Sequence, residues 1–424
     1  MTILLKRARI VDPSQNLDVL GDLLIRDGKI EKLGEDLFPE GLEADEILDC
    51  DGLICAPGLV DMHVHLRDPG QTHKEDVFSG CKAAAAGGVT SLLAMPNTAP
   101  PMDDPDQVRA LLKKAEEADA AVYTVACITK GLKGDELTDL AALREAGAIA
   151  LSDDGQPVKN TRCLLEALRL APQLSMTVTA HCEDKYLAEG GLMNEGEISR
   201  QLGVPGIPNA AEDCGTAREI AAAASLDVPI HICHVSTKGS VELIRDAKRR
   251  GVKVTAETCP HYLLLTEKAL KTKDADYRMN PPLRTEEDRL ALLEGLKDGT
   301  IDAISTDHAP HTPSEKADFY AAPNGSIGME TSLAAVLTAL RDVLTVGEVI
   351  EKMSTTPARI LGIPAGTLQK GANADLVLFD PERSWIVDPD DLHGKSKNTP
   401  FKGMTLKGRV VTTIFHGRKV FDIR

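Results

Sequence analysis

The nine cysteines of this chain contain no CxxC pair, are odd in number, and scatter from Cys50 to Cys259. That pattern excludes a disulfide framework, predicts reduced and mostly buried thiols, and argues against cysteine as a metal ligand. Long apolar runs are missing too: none reaches the ~18 residues that a membrane-spanning helix needs. The opening MTILLKRARIVDP breaks into Lys6, Arg7 and Arg9 too early for a signal peptide, so a cytoplasmic protein is expected. Positive charge is in deficit, with a net charge of −17. A surface of that sign repels nucleic-acid phosphates and anionic lipid, so neither nucleic acid nor membrane is an expected partner. A small anionic substrate is not excluded, because metals and local cations set the field inside a cleft. Internal repeats, low-complexity tracts and Pro/Gly-rich linkers are also absent.

What is present is an alternation. Short β-rich apolar runs occur at 53–65, 89–97, 120–128, 148–155, 176–184, 229–236, 252–261 and 301–311. Helical stretches separate them, such as PDQVRALLKKAEEAD with Asp104 as N-cap and Pro105 at the first helical position. DELTDLAALREAG, SVELIRDAKRRG and TEEDRLALLEGLKDG each end near glycine, as helix C-termini prefer. Eight strands alternating with helices predict an α/β fold, a parallel (β/α)8 barrel over 53–363, with an open doubly wound sheet as the alternative. Residues 1–52 and 364–424 read instead as short strands with turns at Asp27-Gly28 and His416-Gly417. Neither end is large enough to bury a core alone, so the two are expected to combine into one small β domain.

The ionisable residues fall at the C-terminal ends of the runs, where barrel enzymes keep their active sites. His63 and His65 end the first run, Asn97 the second, Asp153-Asp154 the fourth, His181 the fifth, His234 the sixth and Asp307 the eighth. On a strand, period 2 puts His63 and His65 on one side. Singly, each has a blander explanation: a structural histidine, a turn aspartate, a buried ion pair. Four histidines and two carboxylates at matching ends of five strands are hard to explain by packing. Two divalent ions need a shared anion and several imidazoles, and they make hydroxide from bound water near neutral pH. A carboxylate beside that hydroxide passes its proton to a leaving nitrogen, and Asp307 is the best placed to do so.

At these residues the sequence resembles bacterial class I dihydroorotases. HVHLRDPG (63–70), GGVTSLLAMPNTAPP (87–101), SDDGQP (152–157), HCED (181–184), HVS (234–236), RMNPPLR (278–284) and STDHAPH (305–311) carry the resemblance, which runs over nearly the whole chain. It implies an amidohydrolase barrel holding two zinc ions per subunit. His63, His65 and Asp307 would bind one ion, His181 and His234 the other. Asp154, rather than its neighbour Asp153, would bridge them, in place of the carboxylated lysine of many related amidohydrolases. Arg67, Asn97 and His311 would meet the substrate carboxylate, with His65, Asn280, Asn324 and Gly325 completing the contacts. The implied reaction is reversible cyclisation of N-carbamoyl-L-aspartate to dihydroorotate and water in pyrimidine (UMP) biosynthesis. The implied assembly is a homo-oligomer, with an aspartate transcarbamoylase as a further candidate partner.

One departure is visible: family members commonly read Ala-Pro-Phe-Gly where this chain has Ala322-Pro323-Asn324-Gly325. The rival readings are a hydantoinase or allantoinase, and an inactive dihydroorotase-like scaffold for a transcarbamoylase. Arg67 argues for a ring that carries a carboxylate, although an ion pair with Asp68 or Glu75 is the plainer alternative. His231, counted out of phase with His234, is expected to face the helices, and His73 the surface. His393 and His416 lie in the small β domain, and His261 and His308 receive no role. The segment 312–328, rich in proline and glycine, is expected to be a loop that orders over ligand.

Overall fold

The computed structural model describes residues 1–34 and 44–424; the part of the N-terminal strand region from 35 to 43 lies outside them. All eight runs supply a strand to one parallel sheet, in chain order: Leu59–Val64, Val89–Ala94, Ala121–Ala126, Ala150–Leu151, Thr177–Ala180, Ile230–Ile232, Val254–Thr258 and Ala303–Ile304. Such strands are apolar almost throughout because helices cover one face and the barrel interior the other. Between the last strand and the first, side-chain and backbone bonds span the gap. Asp61 accepts from Thr306 N at 3.0 Å and Thr306 Oγ1 at 2.6 Å, and His65 N donates to His308 O at 2.8 Å.

Local signals place the helices. Asp104 accepts from Asp106 N at 2.8 Å and Pro105 opens the helix Pro105–Ala115. Thr237 and Thr285 cap Lys238–Arg249 and Glu286–Lys297, which stop short of Gly251 and Gly299. The stretch DELTDLAALREAG gives a shorter helix than its composition suggests, Leu140–Glu145, because Asp139 caps it late.

Strands from both ends build a second, mixed sheet: Thr2–Asp12, Leu17–Arg26, Lys29–Gly34, Glu46–Asp49, Ile54–Pro57, Leu376–Ile386, Thr405–Phe415 and Arg418–Asp422. The run at 53–65, read as one barrel strand, is therefore two. Ile54–Pro57 pairs with Thr2–Asp12 and Leu376–Ile386, and the chain enters the barrel only after Gly58. Gly58 is packed so closely that a Cβ there would lie 2.0 Å from Thr90 Oγ1. Period 2 divides the strand from Leu376 between two cores: Leu376 and Leu378 join the sheet's own cluster, Val377 and Phe379 that of the barrel. Each such buried side chain contributes roughly 1.5–3 kcal/mol, which fastens the sheet to the barrel. The turns at Asp27-Gly28 and His416-Gly417 form as expected, all four residues at positive φ. They touch: a Cβ on Gly417 would lie 2.6 Å from Gly28 Cα.

Candidate metal centre and substrate cavity

His63, on the first barrel strand, and His65, just past its end, point into the mouth with ring centroids 5.4 Å apart. His181 and His234, past the fifth and sixth strands, meet edge to face, with His181 Nδ1 3.0 Å from His234 Nε2. Asp154 lies among them. Its Oδ1 is 3.3 Å from His63 Nε2, 3.6 Å from His234 Nε2 and 3.7 Å from His181 Nδ1, and its Oδ2 is 3.6 Å from His65 Nε2. Asp307 Oδ1 lies 3.0 Å from His65 Nε2 and 3.6 Å from His63 Nε2. Asp153 turns away and accepts from Thr129 N at 3.0 Å and from the Thr129 hydroxyl.

Three clusters are spaced for a metal ion, and two of them share Asp154: His63, His65 and Asp154, and Asp154, His181 and His234; the third, His63, Cys233 and Glu257, includes a cysteine that the sequence had not offered as a ligand. The donor set fits divalent cations. Among the described residues His63 Nε2, Asp154 Oδ1 and His234 Nδ1 are buried without a hydrogen-bond partner, which is costly unless a cation meets them. Burial opposes ionisation of Asp154, but His63, His234 and His65 together outweigh it and hold the carboxyl well below its usual range. Burial likewise opposes ionisation of Asp307, yet its bond with His65 and the neighbouring His63 and His234 together bring its pKa down to about 2. Asp153, buried without such partners, is pushed up to about 6.

A cavity of about 290 Å³ opens above this cluster. Every residue expected at the substrate lines it: His65, Arg67, Asn97, Asn280, His311, Asn324 and Gly325. Arg67 pairs with neither Asp68 nor Glu75; its Nε donates to Pro310 O at 3.2 Å and its Nη2 lies 3.3 Å from His311 Nε2. Asp68 is taken by Lys114. Burial and the Arg67 charge press the His311 pKa down to about 3, so that ring is neutral. Asn97 Oδ1 lies 2.8 Å from His65 Nδ1, and Asn280 Nδ2 donates to Glu183 at 2.9 Å. Three of the site residues take positive φ, Arg67 at 59°, His234 at 38° and Asp307 at 49°, each just past a strand end. Such backbone is strained for residues with a Cβ and gathers where side chains must be aimed.

Several expectations need correction. His231 faces the barrel interior, not the helices: it is fully buried, with Nδ1 2.9 Å from Thr255 Oγ1 and Nε2 3.4 Å from Glu257. The parity count failed because His234 stands beyond the strand at φ 38°, which breaks the alternation. The segment 312–328 is irregular, as expected, and polar bonds tie it to its surroundings. Lys316 Nζ donates to the carbonyls of Ala275, Arg278 and Pro323 at 2.9–3.2 Å. Asn324, the departure from the family pattern, accepts from Arg278 Nη2 at 3.1 Å. His308 accepts from Gly328 N at 3.2 Å at the barrel seam, and His261 is buried with its pKa lowered by burial to about 4. His73 is exposed, as foreseen.

Lys185, Glu183 and Glu257 were not anticipated. Lys185 lines the cavity and donates to Gly155 O at 2.8 Å and Glu183 at 2.7 Å. Glu257 was detectable as the lone acidic residue in a buried strand run.

Residues 52–240 match the family described as Dihydro-orotase-like, and residues 200–421 the Amidohydrolase family. A dihydroorotase of Syntrophus aciditrophicus is 49% identical over the full length of both chains. One from Geobacter metallireducens is 48% identical, covering 99% of this chain and 100% of the other. Among solved structures, the L-hydantoinase (dihydropyrimidinase) of Arthrobacter aurescens superposes with a TM-score of 0.88 at 25% identity, covering 99% of this chain and 96% of that one. The dihydropyrimidinase of Brevibacillus agri gives 0.86 at 26%, covering 100% and 95%.

Proposed function

The chain belongs to the dihydroorotase family of metal-dependent amidohydrolases, and from that premise we propose that it interconverts N-carbamoyl-L-aspartate and (S)-dihydroorotate on two zinc ions, within pyrimidine synthesis. His63, His65 and Asp307 would hold one ion and His181 and His234 the other, with Asp154 available to both. Bound there, the ions supply Lewis acidity and acidify water towards neutral pH. Asp307 is ionised at neutral pH, and in hydrolysis it takes the proton from the attacking water and returns it to the departing ring nitrogen. Cyclisation reverses that transfer. Asn97, hydrogen-bonded to His65 Nδ1, keeps Nε2 of that ring turned towards Asp307. Arg67 binds the ring carboxylate with its planar fork, beside neutral His311 and Asn97. Asn280 meets the ring, and Asn324 and Gly325 close the far wall.

The observation that carries this reading is Arg67, a buried guanidinium with no carboxylate partner among the described residues, in the same cavity as the Asp154 cluster. A hydantoin ring has no carboxylate to satisfy it. The complete ligand set speaks against an inactive scaffold. Nine free cysteines support a reducing, cytoplasmic setting. Among the described residues no helix is long and apolar enough to cross a membrane. Family resemblance supports a homo-oligomer, and light scattering with and without an aspartate transcarbamoylase tests both assemblies. The function itself is tested by metal analysis of protein purified without added metal, with dihydroorotate, hydantoin and allantoin assayed side by side. Metal-free protein, or turnover of hydantoin in preference to dihydroorotate, would refute it.

A further inference from the structure

Beneath the metal cluster, inside the barrel, lies a second set of buried polar groups that the reaction above does not use. Glu257, on the seventh barrel strand, is wholly buried, and its ion-pair contacts are histidines. Its Oε1 lies 3.4 Å from His63 Nδ1 and its Oε2 3.4 Å from His231 Nε2, while the Ser305 hydroxyl donates to Oε2. These histidine contacts are a few tenths of an ångström longer than a settled hydrogen bond. Even so, His63 Nδ1, Glu257 Oε1 and His231 Nε2 have no settled hydrogen-bond partner among the described residues, and the other group close to His63 and Glu257, the Cys233 thiol, is only a weak donor and acceptor.

A neutral imidazole carries one proton, and the group beside one nitrogen decides which nitrogen is left bare. A carboxylate facing Nδ1 draws the proton there. The bare nitrogen of His63 is then Nε2, the atom that lies 3.3 Å from Asp154 and 3.6 Å from Asp307. His231 repeats the logic: with the Thr255 hydroxyl donating to its Nδ1 at 2.9 Å, its own proton sits on Nε2 towards Glu257. Three donors thus converge on one carboxylate.

We propose that Glu257 is a positioning residue that fixes the tautomer and ring orientation of His63 for metal binding, with His231 and Ser305 holding its carboxylate in place. This rests on the metal centre assigned above. Partners of this kind also make the bound imidazole more basic, and their loss costs about 10–100-fold in metal affinity.

The test is Glu257→Gln, which keeps size and shape but removes the charge. Zinc stoichiometry and affinity are measured by chelator competition, with the d–d spectrum of the cobalt-loaded protein as a second readout. Expected are an affinity loss of about 10–100-fold at one of two sites, a shifted cobalt band, and a lower kcat with little change in KM at saturating zinc. If Glu257→Gln does not fold, a crystal structure of the zinc-loaded wild type decides: zinc on His63 Nε2 with Nδ1 bonded to Glu257 supports the proposal. Zinc on Nδ1, or Glu257 turned away, overturns it. Zinc bound at His63 with unchanged affinity in Glu257→Gln overturns this inference alone. A wild type with no zinc at His63 overturns the functional reading as well.

Discussion

Asp153 and Asp154 are consecutive in the chain, yet their carboxylates serve opposite partners: Asp153 accepts from Thr129 N at 3.0 Å, and Asp154 Oδ1 lies 3.3 Å from His63 Nε2. Asp154→Ala is expected to lose metal and activity together, because two cations would face each other without their shared anion. Asp153→Ala should keep its metal and lose about 1–3 kcal/mol of stability through the unmet Thr129 groups. Metal content and thermal unfolding of the two variants check this. Metal lost from the Asp153 variant and kept in the Asp154 variant would reverse the assignment.

Asp307→Asn removes the proton carrier and one ligand while leaving the cluster of His181, His234 and Asp154 intact. Turnover should fall by about 10²–10⁴-fold or more, with one ion retained. Steady-state kinetics beside metal analysis measure both. A near-normal rate would take Asp307 out of the chemistry.

Arg67→Met should lower activity on dihydroorotate far more than on dihydrouracil, which lacks the carboxylate. A lost charge-assisted pair costs about 1.5–3 kcal/mol, roughly one to two powers of ten in specificity. Equal losses on the two substrates would mean that Arg67 supports the fold through Pro310 instead.

Lys316→Met should loosen the wall that holds Asn324 and Gly325. Its ammonium meets three carbonyls, and an unmet buried carbonyl costs about 1–3 kcal/mol, so stability should fall by at least that much. KM for dihydroorotate should rise more than kcat falls, and protease should cut within 312–328 faster than in wild type. Wild-type stability and KM in the variant would show that other contacts hold the loop.

The barrel and the inward cluster were legible because both obey short periods. Strand runs recur between helices, and residues two apart, such as His63 and His65, share a side. Legibility ended where the chain leaves regular backbone. His234 at φ 38° spoiled the parity that would have turned His231 inward, and nothing in the letters marks that dihedral. The junction at Gly58 was hidden for another reason: Ile54–Pro57 and Leu59–Val64 are equally apolar, and only their pairing partners differ. Lys316 carried no signal in the sequence, because its three acceptors are backbone carbonyls, two of them about 40 residues away in the chain.

Ile54–Pro57 is hydrogen-bonded on one side to a strand near the start of the chain and on the other to Leu376–Ile386. During synthesis Leu376 emerges roughly 320 residues after Pro57, which at about 5–20 residues per second leaves the strand waiting on the order of 20–60 s. For that interval the nascent chain carries an open sheet edge, with Ile3, Leu5 and Ile10 lacking the cover that Leu376, Leu378 and Ile414 later give. An uncovered edge of this kind invites pairing with a neighbouring nascent chain. The terminal sheet is thus the last part of the molecule able to close, and a ribosome stalled before residue 376 would present its most aggregation-prone surface to the cell.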